Sequence, residues 1–199
     1  MSALPKPVYS ADEYLALEEN ADYRSQFYNG EIFAMNGEFS AMAGATRKHN
    51  IVAGNVYANL HFQLRNRDCE IYQNDMRVKV SEDFYTYPNV VIVCGKPQIE
   101  KKRGENLLNP VVLIEVLSPS TEKFDRGEKA QLYRAMPSLR EYVLISQDKS
   151  YIEHFIRQEN GGWLLTELSE TSEILHLPNI DCEVALSEIY AKVDFTEET

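Results

Sequence analysis

Seven apolar-rich residues, "PVVLIEV", run from Pro110 to Val116 and hold one charge, Glu115. A carboxylate inside a strand is costly unless a cation meets it, so the residue asks for a metal ion, a lysine or an arginine. A structural ion pair or a water-facing edge would satisfy Glu115 equally well, but the strand runs directly into a capped helix. In open α/β sheets, sites lie beyond the strand ends, which favours a functional role. Asn89 opens another apolar strand, "NVVIVC", after Pro88. An Asp there, beside Glu115, would give two carboxylates suited to a hard cation such as Mg2+. Asn supplies one neutral oxygen, and Asn after Pro is also an ordinary strand-entry residue.

Asp125, Lys129 and Tyr133 are spaced by four and share one helical face. If that face looks back at the end of the Glu115 strand, Lys129 provides the cation that Glu115 lacks in its own segment. A solvated ion-pair face is the plainer alternative. The N-terminus of that helix would offer free N–H groups to an anion such as phosphate. Asp75 interrupts "IYQNDMRV" and is a weaker second acid at an expected bulge. His49 lies at the start of a long helix, on or beside its apolar stripe. Glu31 follows the Asn29–Gly30 turn, where an exposed hairpin residue is the commoner outcome.

Local signals describe the elements that must hold these side chains. Ser10 and Glu13 have capping-box spacing ahead of "ADEYLALEEN", a short opening helix. "YRSQFYNGEIFAM" is a hairpin on Asn29–Gly30. A helix is expected from about 45 to 66, because Val52, Val56, Leu60 and Leu64 recur every fourth residue. "CEIYQNDMRVKV" is a strand with an irregular middle. "NVVIVC" and "PVVLIEVL" have the composition of strands buried on both faces. Ser118–Pro119–Ser120–Thr121 should end the strand and cap a helix over about 122–136. "EYVLIS" is a buried strand, "YIEHFIRQENGGWLLTELS" a hairpin around Gly161–Gly162, and a short helix lies near the end of "LPNIDCEVALSEIYAKV". This order predicts an α/β mixed sheet with helices on its two faces.

The 199 residues suit a single domain over 1–199, with a core at about 45–146 and a C-terminal hairpin and tail at about 147–199. A net charge of −11 disfavours a protein that coats nucleic acid without specificity, though Arg47–Lys48, Arg65 with Arg67, and Lys101–Lys102–Arg103 are local basic runs. Taken singly, each run reads best as solvated surface. Cys69, Cys94 and Cys182 are odd in number and widely spaced, fit no zinc pattern and argue against a disulfide framework. The N-terminus lacks the pattern of a signal peptide and no apolar run suits a bilayer, so the expected compartment is the cytoplasm, with no membrane partner.

Taken together, "YNGEIFAM", "RKHNIVAGNVYANL", "YPNVVIVCG", "NPVVLIEVLSPST" and "DRGEKAQLYRAMPSLREYVLIS" resemble, in this order, the Uma family of restriction-endonuclease-like proteins, in the PD-(D/E)XK nuclease superfamily. The resemblance spans nearly the whole chain. It implies a restriction-endonuclease-like fold with an N-terminal hairpin and a C-terminal β-hairpin extension. It also implies an endonuclease that hydrolyses phosphodiester bonds with Mg2+ or Mn2+, on DNA more than on RNA, with a homodimer as an open option. The implied ligands are Glu115, the Asn89 oxygen, the Val116 carbonyl and Glu31. Lys129 would orient water or stabilise the phosphorane charge, and His49, Asp75, Asp125 and Tyr133 would support the site. Two departures stand out. The family's Pro-Asp reads Pro88–Asn89, and the superfamily's Glu-x-Lys reads Glu115–Val116–Leu117, its lysine moved to Lys129 on the next helix. The first departure favours an alternative, a nucleic-acid-binding or regulatory protein on a nuclease fold with little catalysis.

Overall fold

The computed structural model describes residues 7–34 and 45–196. In chain order the elements are α1 (Ala11–Glu19), β1 (Ser25–Tyr28), β2 (Glu31–Ala34), α2 (Arg47–Leu64), β3 (Cys69–Gln73), β4 (Val78–Ser81), β5 (Phe84–Thr86), β6 (Val90–Cys94), β7 (Ile99–Lys101) and β8 (Glu105–Leu107). There follow β9 (Val112–Leu117), α3 (Glu122–Arg126), α4 (Glu128–Ala135), β10 (Glu141–Ser146), β11 (Ile152–Arg157), β12 (Trp163–Leu168), β13 (Ile174–Leu177), β14 (Cys182–Ala185) and α5 (Leu186–Ile189).

A central mixed sheet has the order β12-β11-β10-β9-β6-β3. Only β9 and β10 in it run parallel, joined by the crossover through α3 and α4. Its middle strands are buried on both faces, as their unbroken apolar composition requires. On one face the α2 stripe of Val52, Val56, Leu60 and Leu64 packs over Val90, Ile92, Val112, Ile114, Val143 and Ile145. The β13–β14 hairpin and α5 close over the same helix with Leu175, Leu177, Leu186 and Ile189. Polar side chains complete that closure. Asn55 donates to the Ile189 and Ala191 carbonyls, Gln63 to that of Glu183, and Arg67 to those of Ile180 and Asp181. The other face meets Ala130, Tyr133, Met136 and Leu139.

A second six-stranded sheet, ordered β2-β1-β5-β4-β8-β7, is not apparent from the local patterns. The expected single strand over 69–80 divides at Asn74, whose φ is +58°, and sends β3 and β4 into different sheets. The Asn29–Gly30 hairpin forms with φ values of +48° and +84°, the pair of positive values a two-residue primed turn needs. The capping box also forms. Glu13 N–H donates to Ser10 Oγ at 3.2 Å, and Ser10 N–H to Glu13 Oε2 at 2.7 Å.

Two expectations are corrected. The helix over 122–136 breaks at Gly127, where a Cβ would stand 2.9 Å from the Lys123 carbonyl oxygen. Cys69 and Cys94 form a disulfide, because the β3–β6 register sets them directly opposite one another. Sequence spacing carries no register, and the odd count concealed the pair; the third cysteine, Cys182, is buried and free. Among the described residues, no helix is long and apolar enough to cross a membrane.

Candidate functional site

A cleft of about 610 Å3 opens where β6 begins and β9 ends. It is lined by Asn74, Asp75, Asn89, Glu115, Val116 and the turn Ser118–Thr121, together with Asp22–Arg24, Gln26 and Tyr87. The first turn of α2 contributes His49, and the crossover contributes Asp125 and Lys129.

Glu115 is 4% exposed. Its Oε1 accepts from Lys129 Nζ at 2.6 Å and from the Tyr133 hydroxyl at 2.9 Å. Lys129 also reaches Asp125 Oδ1 at 2.9 Å. The four-residue spacing therefore does put Asp125, Lys129 and Tyr133 on the face that meets Glu115, despite the break at Gly127. Burial pushes the Glu115 carboxyl above the ordinary glutamate range, Lys129 works against that push, and Asp125 adds to it. Burial also opposes the Lys129 charge, but Asp125 and Glu115 override it and hold the ammonium above its ordinary pKa. Tyr133 is raised by burial first and then by Glu115, so it remains a donor.

Asn89 lies beside Glu115, with its backbone N–H 3.4 Å from Glu115 Oε2. Its amide is engaged at both ends. Oδ1 accepts the Val116 N–H at 2.8 Å, and Nδ2 donates to Asn74 Oδ1 at 3.2 Å. Asn74 in turn donates its backbone N–H to the Asn89 carbonyl at 3.1 Å. The left-handed conformation of Asn74 thus fixes residue 89, and an Asn ahead of Asp75 was the one sequence sign of it.

His49 Nδ1 is buried and finds no hydrogen-bond partner among the described residues. Burial lowers the imidazole pKa, opposed by the Val116 carbonyl, Asp125 and Asn89. Thr46 anchors this turn. Its Oγ1 accepts the His49 N–H at 3.1 Å and donates to Gln147 Oε1 at 2.6 Å. Thr46 and buried Gln147 were not singled out in the sequence, because the link joins residues 101 positions apart. Asp75 lines the cleft and pairs with Arg24 at 3.4 Å on its exposed rim.

Glu31 is not brought to this cleft. The hairpin turn sets β2 at the outer edge of the second sheet, and Glu31 lines another cleft with Glu18, Ser25 and Phe33. The expected phosphate seat at the helix N-terminus does not form either. The α3 segment is barely one turn, Thr121 makes no side-chain cap, and the Thr121 and Glu122 N–H groups both donate to the Ser118 carbonyl. Two basic runs are engaged within the fold. Lys102 pairs with Asp12 at 2.5 Å, Arg103 with Glu19 at 3.0 Å, and Arg67 with Asp181 at 3.5 Å.

The donor set is short of what a hard divalent ion needs. Among the described residues, no three His, Cys, Asp or Glu side chains gather to hold a metal. Glu115 and Asp125 share the Lys129 ammonium, which occupies the place of a cation between them, and the Asn89 oxygen is already an acceptor for Val116. As they stand, these residues do not fit Mg2+ or Mn2+, which take several oxygen ligands with carboxylates among them.

Residues 11–187 match the family described as "Uma2: Putative restriction endonuclease". "Uncharacterized protein sll1609" of Synechocystis sp. is 36% identical over 169 residues, which cover 84% of this chain and 92% of that protein. "Uncharacterized protein slr1290" of the same organism is 31% identical over 192 residues, 96% of each chain.

Proposed function

The chain belongs to the Uma2 family of putative restriction endonucleases, and from that premise we propose that it works on DNA phosphodiesters through the Glu115 cleft, as an endonuclease held at low activity by the amide at residue 89. The observation that carries this reading is the state of Asn89. Its oxygen and nitrogen are both spent inside the protein, at the position where a second carboxylate beside Glu115 would complete a cation site. Restriction-endonuclease-like proteins generally use divalent metals, and a donor set one carboxylate short binds them weakly. Within the cleft, Lys129 holds Glu115 and Asp125 in place, Tyr133 fixes the Glu115 rotamer, and His49 contributes a buried Nδ1 that has no hydrogen-bond partner among the described residues.

Electrostatics set a condition on substrate entry. Asp22, Asp75, Glu115 and Asp125 line the cleft against Arg24 and Lys129. A phosphate entering that field is repelled unless cations accompany it. The alternative reading, a nucleic-acid-binding or regulatory protein without cleavage, draws on the same engaged amide and on the ammonium between the two acids.

The test is cleavage and retention of single- and double-stranded DNA, with Mg2+ or Mn2+, by the natural chain, Asn89→Asp and Asn89→Asp/Glu115→Gln. The expected result is slow or no cutting by the natural chain, faster cutting by Asn89→Asp, and loss of the gain in the double variant. Retention without cutting in all three supports the binding-only reading. Equal cleavage by the natural chain and Asn89→Asp overturns the proposed role of residue 89.

A further inference from the structure

The strand β12 is the outer edge of the central sheet and, among the described residues, pairs on one side only, with β11. An unpaired edge is a template for another strand unless it is short, charged or covered. This one has six residues, of which Leu164 and Leu165 are 52% and 43% exposed. Glu167 is the one charged residue within it.

Backbone alternation shows which groups face outward. Gln158 N–H donates to the Gly162 carbonyl at 2.8 Å, so this pair is hydrogen-bonded. In an antiparallel ladder, bonded and non-bonded pairs alternate. The β11–β12 register continues as Arg157↔Trp163, Ile156↔Leu164, Phe155↔Leu165 and His154↔Thr166. Leu164 and Thr166 therefore direct their backbone groups at β11, while Trp163, Leu165 and Glu167 direct theirs away from the sheet.

We propose that β12 pairs antiparallel with β12 of a second copy of this chain about a two-fold axis at Leu165, joining two central sheets into one. In that register Leu165 exchanges both hydrogen bonds with its counterpart, and Trp163 lies opposite Glu167 of the other copy. The charges agree with it. Arg157 stacks on Trp163, 4.7 Å from the ring centroid to the guanidinium carbon. The guanidinium donates to the Leu139, Arg134 and Met136 carbonyls and meets no carboxylate among the described residues. Glu167 of the second copy, whose Oε1 accepts the Tyr151 hydroxyl of its own chain, comes opposite the Trp163–Arg157 stack and supplies a counter-charge through its other oxygen. A register centred on Glu167 would instead set two like charges face to face, which opposes pairing.

The test combines solution mass with cysteine trapping in the full chain. Sedimentation should show a species near twice the 22.9 kDa chain mass, and Leu165→Lys should return it to the single-chain mass with an unchanged circular-dichroism spectrum. Under mild oxidant, Leu165→Cys should cross-link to a covalent dimer, because directly opposed Cα atoms stand about 5.5 Å apart, within disulfide reach. Leu164→Cys should not, since the two copies of residue 164 are offset by two positions and lie about 8 Å apart. The natural chain, whose free Cys182 is buried, is the control for background cross-linking. A single-chain mass at every concentration overturns the proposal, and so does equal cross-linking of the two cysteine variants.

Discussion

Replacing Asn89 with Asp alters the cleft in two opposing ways. Without metal, the substitution removes the Nδ2 donor that meets Asn74 Oδ1 at 3.2 Å, a loss of about 1 kcal/mol. It also sets a second carboxylate beside Glu115, whose burial already favours the protonated form. Two like charges near 4 Å repel by roughly 4 kcal/mol at an effective dielectric of about 20, and proton uptake by Glu115 relieves much of that. The metal-free variant should therefore lose ~1–3 kcal/mol of stability, a fall in Tm of roughly 2–12 °C for a chain of this length. With a divalent ion the sign reverses. The added charge attracts the ion, and after desolvation a net gain of ~1–3 kcal/mol corresponds to about 5- to 150-fold in affinity. The assay is thermal unfolding of both proteins in chelator and in millimolar Mn2+, with calorimetric titration of the ion. The natural chain should show nearly the same Tm in both solutions, while Asn89→Asp starts lower and is raised by the metal. Equal metal responses in the two proteins would refute the assignment of residue 89 to a cation site.

Lys129→Met should destabilise the chain by ~3–5 kcal/mol, because Glu115 and Asp125 stay buried without their shared cation; a change under 1 kcal/mol in urea unfolding would contradict the buried ion pair. Tyr133→Phe removes one donor from Glu115 Oε1 and should cost about 1.5–3 kcal/mol by the same measurement. His49 is held below the ordinary histidine pKa, so the folded chain binds fewer protons than the unfolded chain as the pH falls through about 6.5. Its contribution to stability is therefore lost toward acid. In His49→Asn the drop in Tm between neutral and mildly acidic pH should be smaller than in the natural chain, and an identical pH profile would exclude that role.

The legible parts of this molecule were those that rest on local chemistry. The α2 stripe, the capping box, the Asn29–Gly30 turn and the doubly buried strands are written in periods of a few residues. The approach of Lys129 to Glu115 was legible for the same reason, since helical spacing fixes a face. What escaped depends on register between distant segments. Cys69 and Cys94 meet only once β3 and β6 pair, and Thr46 meets Gln147 only across the sheet. Glu31 was misplaced because a turn motif specifies a hairpin but not the sheet that hairpin joins. The break at Gly127 had a local sign, a glycine inside a helical pattern, that counted for less than the apolar face around it.

The closure of α2 by the C-terminal hairpin has a consequence for the newborn chain. Leu64 leaves the ribosome roughly 110 residues before Leu175, an interval on the order of 5–20 s at ordinary elongation rates. Throughout that interval the β9 and β10 strands can arrive beneath the helix, but the residues that cover its flank, and the carbonyls that Asn55, Gln63 and Arg67 bind, have not yet been made. The nascent protein therefore carries an open apolar seam until β13, β14 and α5 have been made. Premature termination anywhere before β13 would leave that seam permanently exposed, making truncated products targets for chaperones and proteases rather than smaller working copies.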